Sequence, residues 1–262
     1  LDWDSLKKVL LLEDRGLISL VGAGGKTTLM FSLAKWMKDC GKTVLTTTTT
    51  KIFMPAMSQS PTTVVSEAPE VLLPEIKRLL KLYGHVSAGA GHLKEHDKIR
   101  GFAPEMIARL WQSGIADWII VEADGAAGRP LKAPASHEPV IPAVTDHLVA
   151  VAGLRAIGLP FDERHVFRTG RYAAITGLGS GETITASSVT SALLHPEGIM
   201  KGAPSKVQRF VFLNKAQRED LHKTGEEVAA QLQERCRGKL KRIFIGSAEE
   251  EPTHWKCVNT GS

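Results

Sequence analysis

Cysteine is scarce in this chain. Cys40, Cys236 and Cys257 are the only three and lie far apart, which excludes a disulfide framework or a cysteine zinc site and points to a reducing, cytoplasmic setting. No apolar run reaches the roughly 18 residues of a membrane span. The leading Leu1-Asp2-Trp3-Asp4 has neither the basic segment nor the apolar stretch of a signal peptide. The metalloprotease pattern H-E-x-x-H is missing as well: His92 and His96 are four apart, but Glu95 is misplaced for it, and Gly89 and Gly91 weaken a helix there. Charge is not strongly one-sided, since 33 basic and 28 acidic residues leave a net +5. That balance suits an anionic ligand. The basic stretches, Lys201, Lys206 and Arg209, then Arg235, Arg237, Lys239, Lys241 and Arg242, have no interleaved aromatics, so they read as solvated faces and nucleic acid is not expected as a partner.

What the chain does contain is a phosphate-binding pattern. Leu17-Ile18-Ser19-Leu20-Val21 reads as an apolar strand, Gly22-Ala23-Gly24-Gly25 as a tight turn, and Lys26-Thr27-Thr28 as the opening of a helix whose buried side carries Leu29, Leu33, Trp36 and Met37. Glycines let backbone amides converge on an anion, and the helix N-terminus adds a favourable field. Lys26 is placed to reach the β/γ-phosphates of a nucleoside triphosphate, and Thr27 to hold Mg²⁺. The loop is shorter than G-x-x-x-x-G-K-[ST], because the position of its first glycine is taken by Leu20.

A second apolar run, Trp118-Ile119-Ile120-Val121, delivers Glu122 and Asp124. Ligands gather at the carboxyl ends of strands in open α/β sheets, so Glu122 and Asp124 are candidate Mg²⁺ ligands, with Asp124 also able to orient a nucleophile. Arg129, between Gly128 and Pro130, is a candidate clamp for phosphate or an acidic substrate. Lys132, His137 and Glu138 continue a polar segment stiffened by Pro130, Pro134, Pro139 and Pro142, and His137 is a candidate catalytic or substrate-contacting residue. Five adjacent hydroxyls, Thr46 to Thr50, followed by Lys51, exceed what a buried strand needs and suggest ordering of phosphate, metal or water. Asn214-Lys215-Ala216-Gln217, after the strand 209–213, has the shape of the base-recognition motif N-K-x-D with Gln217 in place of the aspartate, which leaves ATP and GTP both open.

Strands near 44–50, 86, 118–121, 147–151, 209–213 and 242–245 alternate with helices over 26–40, 70–83, 104–114, 186–194 and 218–236, after a short amphipathic helix at 4–14. The segment 55–69 reads as a connecting loop. This alternation predicts a three-layer α/β fold with a mostly parallel sheet. The whole of 1–262 is expected to form one P-loop nucleotide-binding domain, with an insertion or lid at about 153–205.

The order Val21–Thr28, Thr47–Lys51, Val121-Glu122-Ala123-Asp124-Gly125-Ala126, Arg129-Pro130-Leu131-Lys132-Ala133-Pro134 and His137-Glu138-Pro139-Val140-Ile141-Pro142 resembles the accessory proteins of selenium-dependent molybdenum hydroxylases over nearly the whole chain. The resemblance implies a nucleotide-dependent role in maturing a molybdenum hydroxylase or its molybdopterin-type cofactor. Its usual aspartate in the late N-K motif corresponds to Gln217. Over Gly22–Thr28 alone, the chain is also similar to the Mur ligases, in which an ATP-derived phosphoryl group activates a carboxylate. These readings imply an Mg²⁺-dependent nucleoside triphosphatase or phosphoryl-transfer enzyme, or else a nucleotide-gated insertion factor for the apo-hydroxylase.

Overall fold

The computed structural model describes residues 2–260. Helix α1 (Trp3–Leu10) leads into strand β1 (Gly16–Gly22), helix α2 (Lys26–Asp39) and strand β2 (Val44–Thr48). Then come β3 (Lys51–Phe53), β4 (Thr63–Val65), α3 (Pro69–Tyr83), β5 (His85–Gly89), β6 (Gly91–Leu93) and β7 (Lys98–Arg100). The middle of the chain supplies α4 (Pro104–Gln112), β8 (Trp118–Glu122), β9 (Leu131–Lys132) and β10 (His147–Gly153). β11 (Val166–Phe167), α5 (Thr169–Thr176) and α6 (Ala186–Leu194) precede β12 (Gln208–Asn214), α7 (Glu219–Arg235), β13 (Arg242–Ile245) and β14 (Lys256–Asn259).

The main sheet has nine strands in the order β14-β13-β12-β10-β1-β8-β2-β5-β4. Every neighbouring pair is parallel except β13 with β14. This is the expected three-layer α/β architecture. All seven residues of β1 and all five of β8 are buried, the continuous apolar reading of strands covered on both faces. Alternation sorts their side chains. Ile18 and Leu20 of β1 join Trp118 and Ile120 of β8 under α1 and α2, while Leu17 joins Ile119 and Val121 under α3 and α4. Farther along that second face, Val21 packs with residues of β10, β12, α6 and α7. The segment after β10 is part of this layer, since Leu154, Phe161, Tyr172, Val189 and Leu193 lie in the same core.

Three short elements depart from the sequence expectation. The opening helix stops at Leu10 rather than near Asp14, because Leu11 turns left-handed at φ 54° and Leu12 N donates back to Lys7 O. The loop 55–69 contributes β4, which extends the parallel sheet beside β5. Residues 91–100 form β6 and β7, which pair antiparallel with each other, and β7 pairs antiparallel with β3 to complete a separate three-stranded flap. Strands of three residues carry too few alternations to be read from pattern. Among the described residues no helix is long and apolar enough to cross a membrane.

Phe212 is fully buried in β12, with its ring 4.4 Å from that of Trp255. Phe212→Ala is expected to lower the unfolding free energy by about 3–5 kcal/mol, read from the shift in urea midpoint at unchanged slope.

Candidate functional site

β1 lies between β10 and β8 at the centre of the sheet and ends in the glycine turn. All three glycines of the turn are required by space as well as by conformation, as Gly24 and Gly25 illustrate. Gly24 has φ +85°, and a Cβ there would stand 2.5 Å from Gly153 N and 2.7 Å from Pro130 O. Gly25 has φ +127°, and a Cβ would stand 2.2 Å from Asn214 Nδ2. The loop is pinned by Ala23 N donating to Val151 O (2.9 Å) and Asn214 Nδ2 donating to Gly24 O (2.7 Å). Beyond these pins, the backbone amides from Gly24 to Thr28 have no protein acceptor among the described residues. The first turn of α2 contains no acidic side chain to compete for them. An anion is the partner such amides take.

Facing this loop, β8 brings in Glu122, and the next turn Asp124, both buried. Thr27 Oγ1 donates to Glu122 Oε2 at 2.7 Å. Lys26 Nζ donates to Gly22 O at 2.7 Å and stands 3.6 Å from Glu122 Oε1 and 3.2 Å from Asp124 Oδ1. Asp124 Oδ2 accepts from Gly22 N at 3.0 Å and pairs with Lys132 Nζ at 3.0 Å. Lys132, fully buried, also donates to Gly125 O and to Glu138 Oε2 at 2.8 Å. Arg168 closes the row with both terminal nitrogens on Glu138. Carboxylates and cations thus alternate from Glu122 through Lys26, Asp124, Lys132 and Glu138 to Arg168.

The electrostatics follow from that alternation. Burial works to lower the Lys26 ammonium, but Asp124 and Glu122 more than offset it and hold it above the ordinary lysine range. Burial raises Glu122 above the ordinary carboxylate range, against the opposing pull of Lys26 and Thr27. Burial also works to raise Glu138, yet the hydrogen bonds and charges of Arg168 and Lys132 bring it down to about 2.

The other candidate residues are placed differently. Arg129 lines the same cleft on the turn 125–129, its guanidinium donating to Glu163 O (2.5 Å) and Ala127 O (3.2 Å). His137 is exposed and takes no part in the charge row, whereas its neighbours Lys132 and Glu138 are buried within it. Asn214 is fully buried and acts as a latch, for besides Gly24 its Oδ1 accepts from Ala248 N at 2.9 Å. Lys215 pairs with Glu249, and Gln217 Nε2 donates to Ser247 Oγ. The threonine run is largely structural: Thr46 bonds His85 and Ser87, Thr47 donates to Ala88 O, Thr48 to Glu122 O and Thr49 to Val140 O. Hydroxyls expected at a ligand instead tie adjacent strands and loops together. Lys132 and Glu138 lie in the proline-stiffened segments that carry the resemblance, but nothing local assigned them a paired role, and Arg168 carried no sequence signal.

The YqeC protein family matches residues 18–170, which contain the loop, both acids and the Lys132–Glu138 segment. Over 236 residues the chain is 36% identical to the uncharacterized protein YqeC of Escherichia coli (strain K12), covering 90% of this chain and 88% of that protein. The chain belongs to the YqeC family. Among solved structures, this YqeC-family chain has low overall similarity to the signal recognition particle 54 kDa protein of Aeropyrum pernix K1 in complex with GDP. There the TM-score is 0.40 at 14% identity over 95% of this chain, which spans only 45% of that one. HypB of Helicobacter pylori in complex with nickel gives a TM-score of 0.39 at 12% identity, with 95% and 86% of the two chains covered.

In this YqeC-family site, Gly24, Gly25, the start of α2, Glu122 and turn 125–129 line one cleft of about 540 Å³, within the range of small-molecule sites, and Asp124 is buried. Among the described residues no group of three or more His, Cys, Asp or Glu side chains is arranged to hold a metal by itself. The oxygen pair of Thr27 and Glu122 fits a hard cation that takes its remaining ligands from phosphate and water.

Lys132→Ala leaves Asp124 and Glu138 buried against each other's charge, and is expected to cost about 3–5 kcal/mol in urea unfolding. Glu138, whose folded pKa of about 2 lies below its ordinary 4.5, contributes stability that is full above that value and is lost as pH falls through 2. Glu138→Gln is therefore expected to flatten the fall in urea midpoint between pH 5 and 2.

Proposed function

We propose that this protein binds an Mg²⁺–nucleoside triphosphate, ATP or GTP, with its phosphates on Gly22–Thr28, and hydrolyses it or transfers its terminal phosphoryl group. The observation that carries this reading is the set of amides from Gly24 to Thr28 without protein acceptors, in the same segment as Lys26 and the Thr27–Glu122 pair. Phosphate oxygens replace Gly22 O as the acceptor of Lys26, which keeps its proton beside Glu122 and Asp124. Thr27 and Glu122 hold Mg²⁺, with Asp124 behind them. The bound metal would neutralise charge developing on the transferred group. Asp124 fixes the positions of Gly22 N and Lys26, and Arg129 lines the same cleft, where it would meet an acceptor substrate. Exposed His137 is assigned no proton transfer.

The role suggested by the resemblance is maturation of a molybdenum hydroxylase or its molybdopterin-type cofactor. Asp124 Oδ2 is held by Gly22 N and Lys132 Nζ, whereas Oδ1 is buried 3.2 Å from Lys26 without a hydrogen-bond partner, so it is the carboxylate oxygen left to orient a nucleophile once Lys26 turns to the phosphates.

Calorimetric titration of MgATP and MgGTP into wild type and Lys26→Ala tests the phosphate site. Saturable binding of at least one nucleotide, weakened by about tenfold or more in the variant, is expected. Absence of binding by folded wild-type protein would sink the reading. Glu122→Gln is expected to bind free nucleotide and to lose most of the Mg²⁺-dependent gain. Phosphate release in the same samples separates turnover from gating.

A further inference from the structure

The flap formed by β3, β7 and β6 shares the cleft with the phosphate loop, and phosphate binding leaves its side chains without a role. Strand alternation divides β3: Ile52 is buried in the core beneath α2, while Lys51 and Phe53 point outward. In β7, Ile99 is likewise buried, and Lys98 lies directly opposite Phe53 in the ladder. The Lys98 ammonium stands 4.7 Å from the centre of the Phe53 ring, and Phe53 is 69% exposed. Ile52 and Ile99 bury the flap against the core, so folding does not call for an aromatic at 53. Lys51 and Lys98 have no carboxylate partner among the described residues, in contrast to Lys26 and Lys132. The remaining acid in the cleft lining, Glu122, is engaged by Thr27 and Lys26. The cleft lining therefore presents a mostly exposed ring with Lys98 against it, two cations without carboxylate partners, and Arg129.

We infer that this part of the lining is a second ligand subsite, for a planar aromatic molecule bearing a phosphate or carboxylate, bound at the same time as the nucleotide. The ring stacks on Phe53, and its anionic group is held by Lys51 and Lys98. The subsite shares one cleft with Lys26 and Glu122, where a phosphoryl acceptor or an activated acid would meet the nucleotide. The inference rests on the reading of Gly22–Thr28 as the phosphate site. A single nucleotide laying its own base on Phe53 offers the same chemistry from another source, so the experiment separates the two.

The probe is 1-naphthyl phosphate, followed by its fluorescence with and without saturating Mg²⁺ and the β,γ-imido analogues of ATP and GTP. Titrations use wild type, Phe53→Ala and the pair Lys51→Ala with Lys98→Ala, whose folding is checked by circular dichroism. The expected result is saturable probe binding with the analogue present, about tenfold weaker or more in each variant, while analogue affinity stays within about twofold of wild type. Displacement of the probe by the analogue would overturn the inference, as would no probe binding or equal affinity in all three proteins. Loss of analogue affinity in Phe53→Ala would assign the ring to the nucleotide's base and also overturn it. If wild type binds neither analogue, the phosphate-site reading fails by itself. The probe titration without analogue then decides the subsite, which stands if binding still depends on Phe53 and falls if it does not.

Discussion

The pairing of two buried carboxylates with two buried lysines is the constraint on which the rest of this molecule depends. β8 carries Glu122 to the glycine loop and the following turn carries Asp124, with almost no exposure to water. An isolated ionised carboxylate in such a place is strongly unfavourable, and it persists only with cations and hydrogen bonds around it. Lys26 supplies one cation from the start of α2, and Lys132 supplies the other from β9. Glu138 and Arg168 then continue the alternation outward until it reaches partly exposed groups.

This arrangement connects the core to the site. Lys132 holds the turn 125–129 through Gly125 O, and that turn forms a wall of the cleft. Asp124 holds Gly22 N and so fixes the departure of the loop from β1. On the other side, Asn214 joins Gly24 to Ala248, so the ends of β1, β12 and β13 are held together by one side chain. A loop fixed from both sides keeps its free amides oriented before any ligand arrives, which reduces the ordering cost of binding. Lys132 also pairs with Asp124 independently of Lys26, so the carboxylate would retain a counter-charge if Lys26 turned toward a phosphate as proposed.

The main layers were legible in the sequence because long elements repeat their pattern many times. α3, α6 and α7 and the buried strands β1, β8, β10 and β12 were readable to within a few residues. The flap strands, β4 and the antiparallel edge strand β14 were not, since three or four residues give no usable period and β14 is mostly exposed. The threonine run shows the opposite failure. Its composition is conspicuous, but a hydroxyl's partner is set by what lies across the sheet, and for Thr46 through Thr49 those partners are other strands and loops.

The sequence by itself determined the strand–glycine loop–helix, the lysine and threonine that open the helix, and the strand that ends in two acids. Each is a contiguous segment whose chemistry and period are local. Only the tertiary structure decided which charges are paired and which are free. It buried Lys132 and Glu138 while leaving His137 exposed, brought Arg168 to a carboxylate 30 residues away, and turned Asn214 into a latch. It also set Phe53, Lys51 and Lys98 in one cleft with the glycine loop. The physical reason is that pairing of charges and exposure of a ring depend on distances between segments remote in the chain, and local spacing carries no record of them.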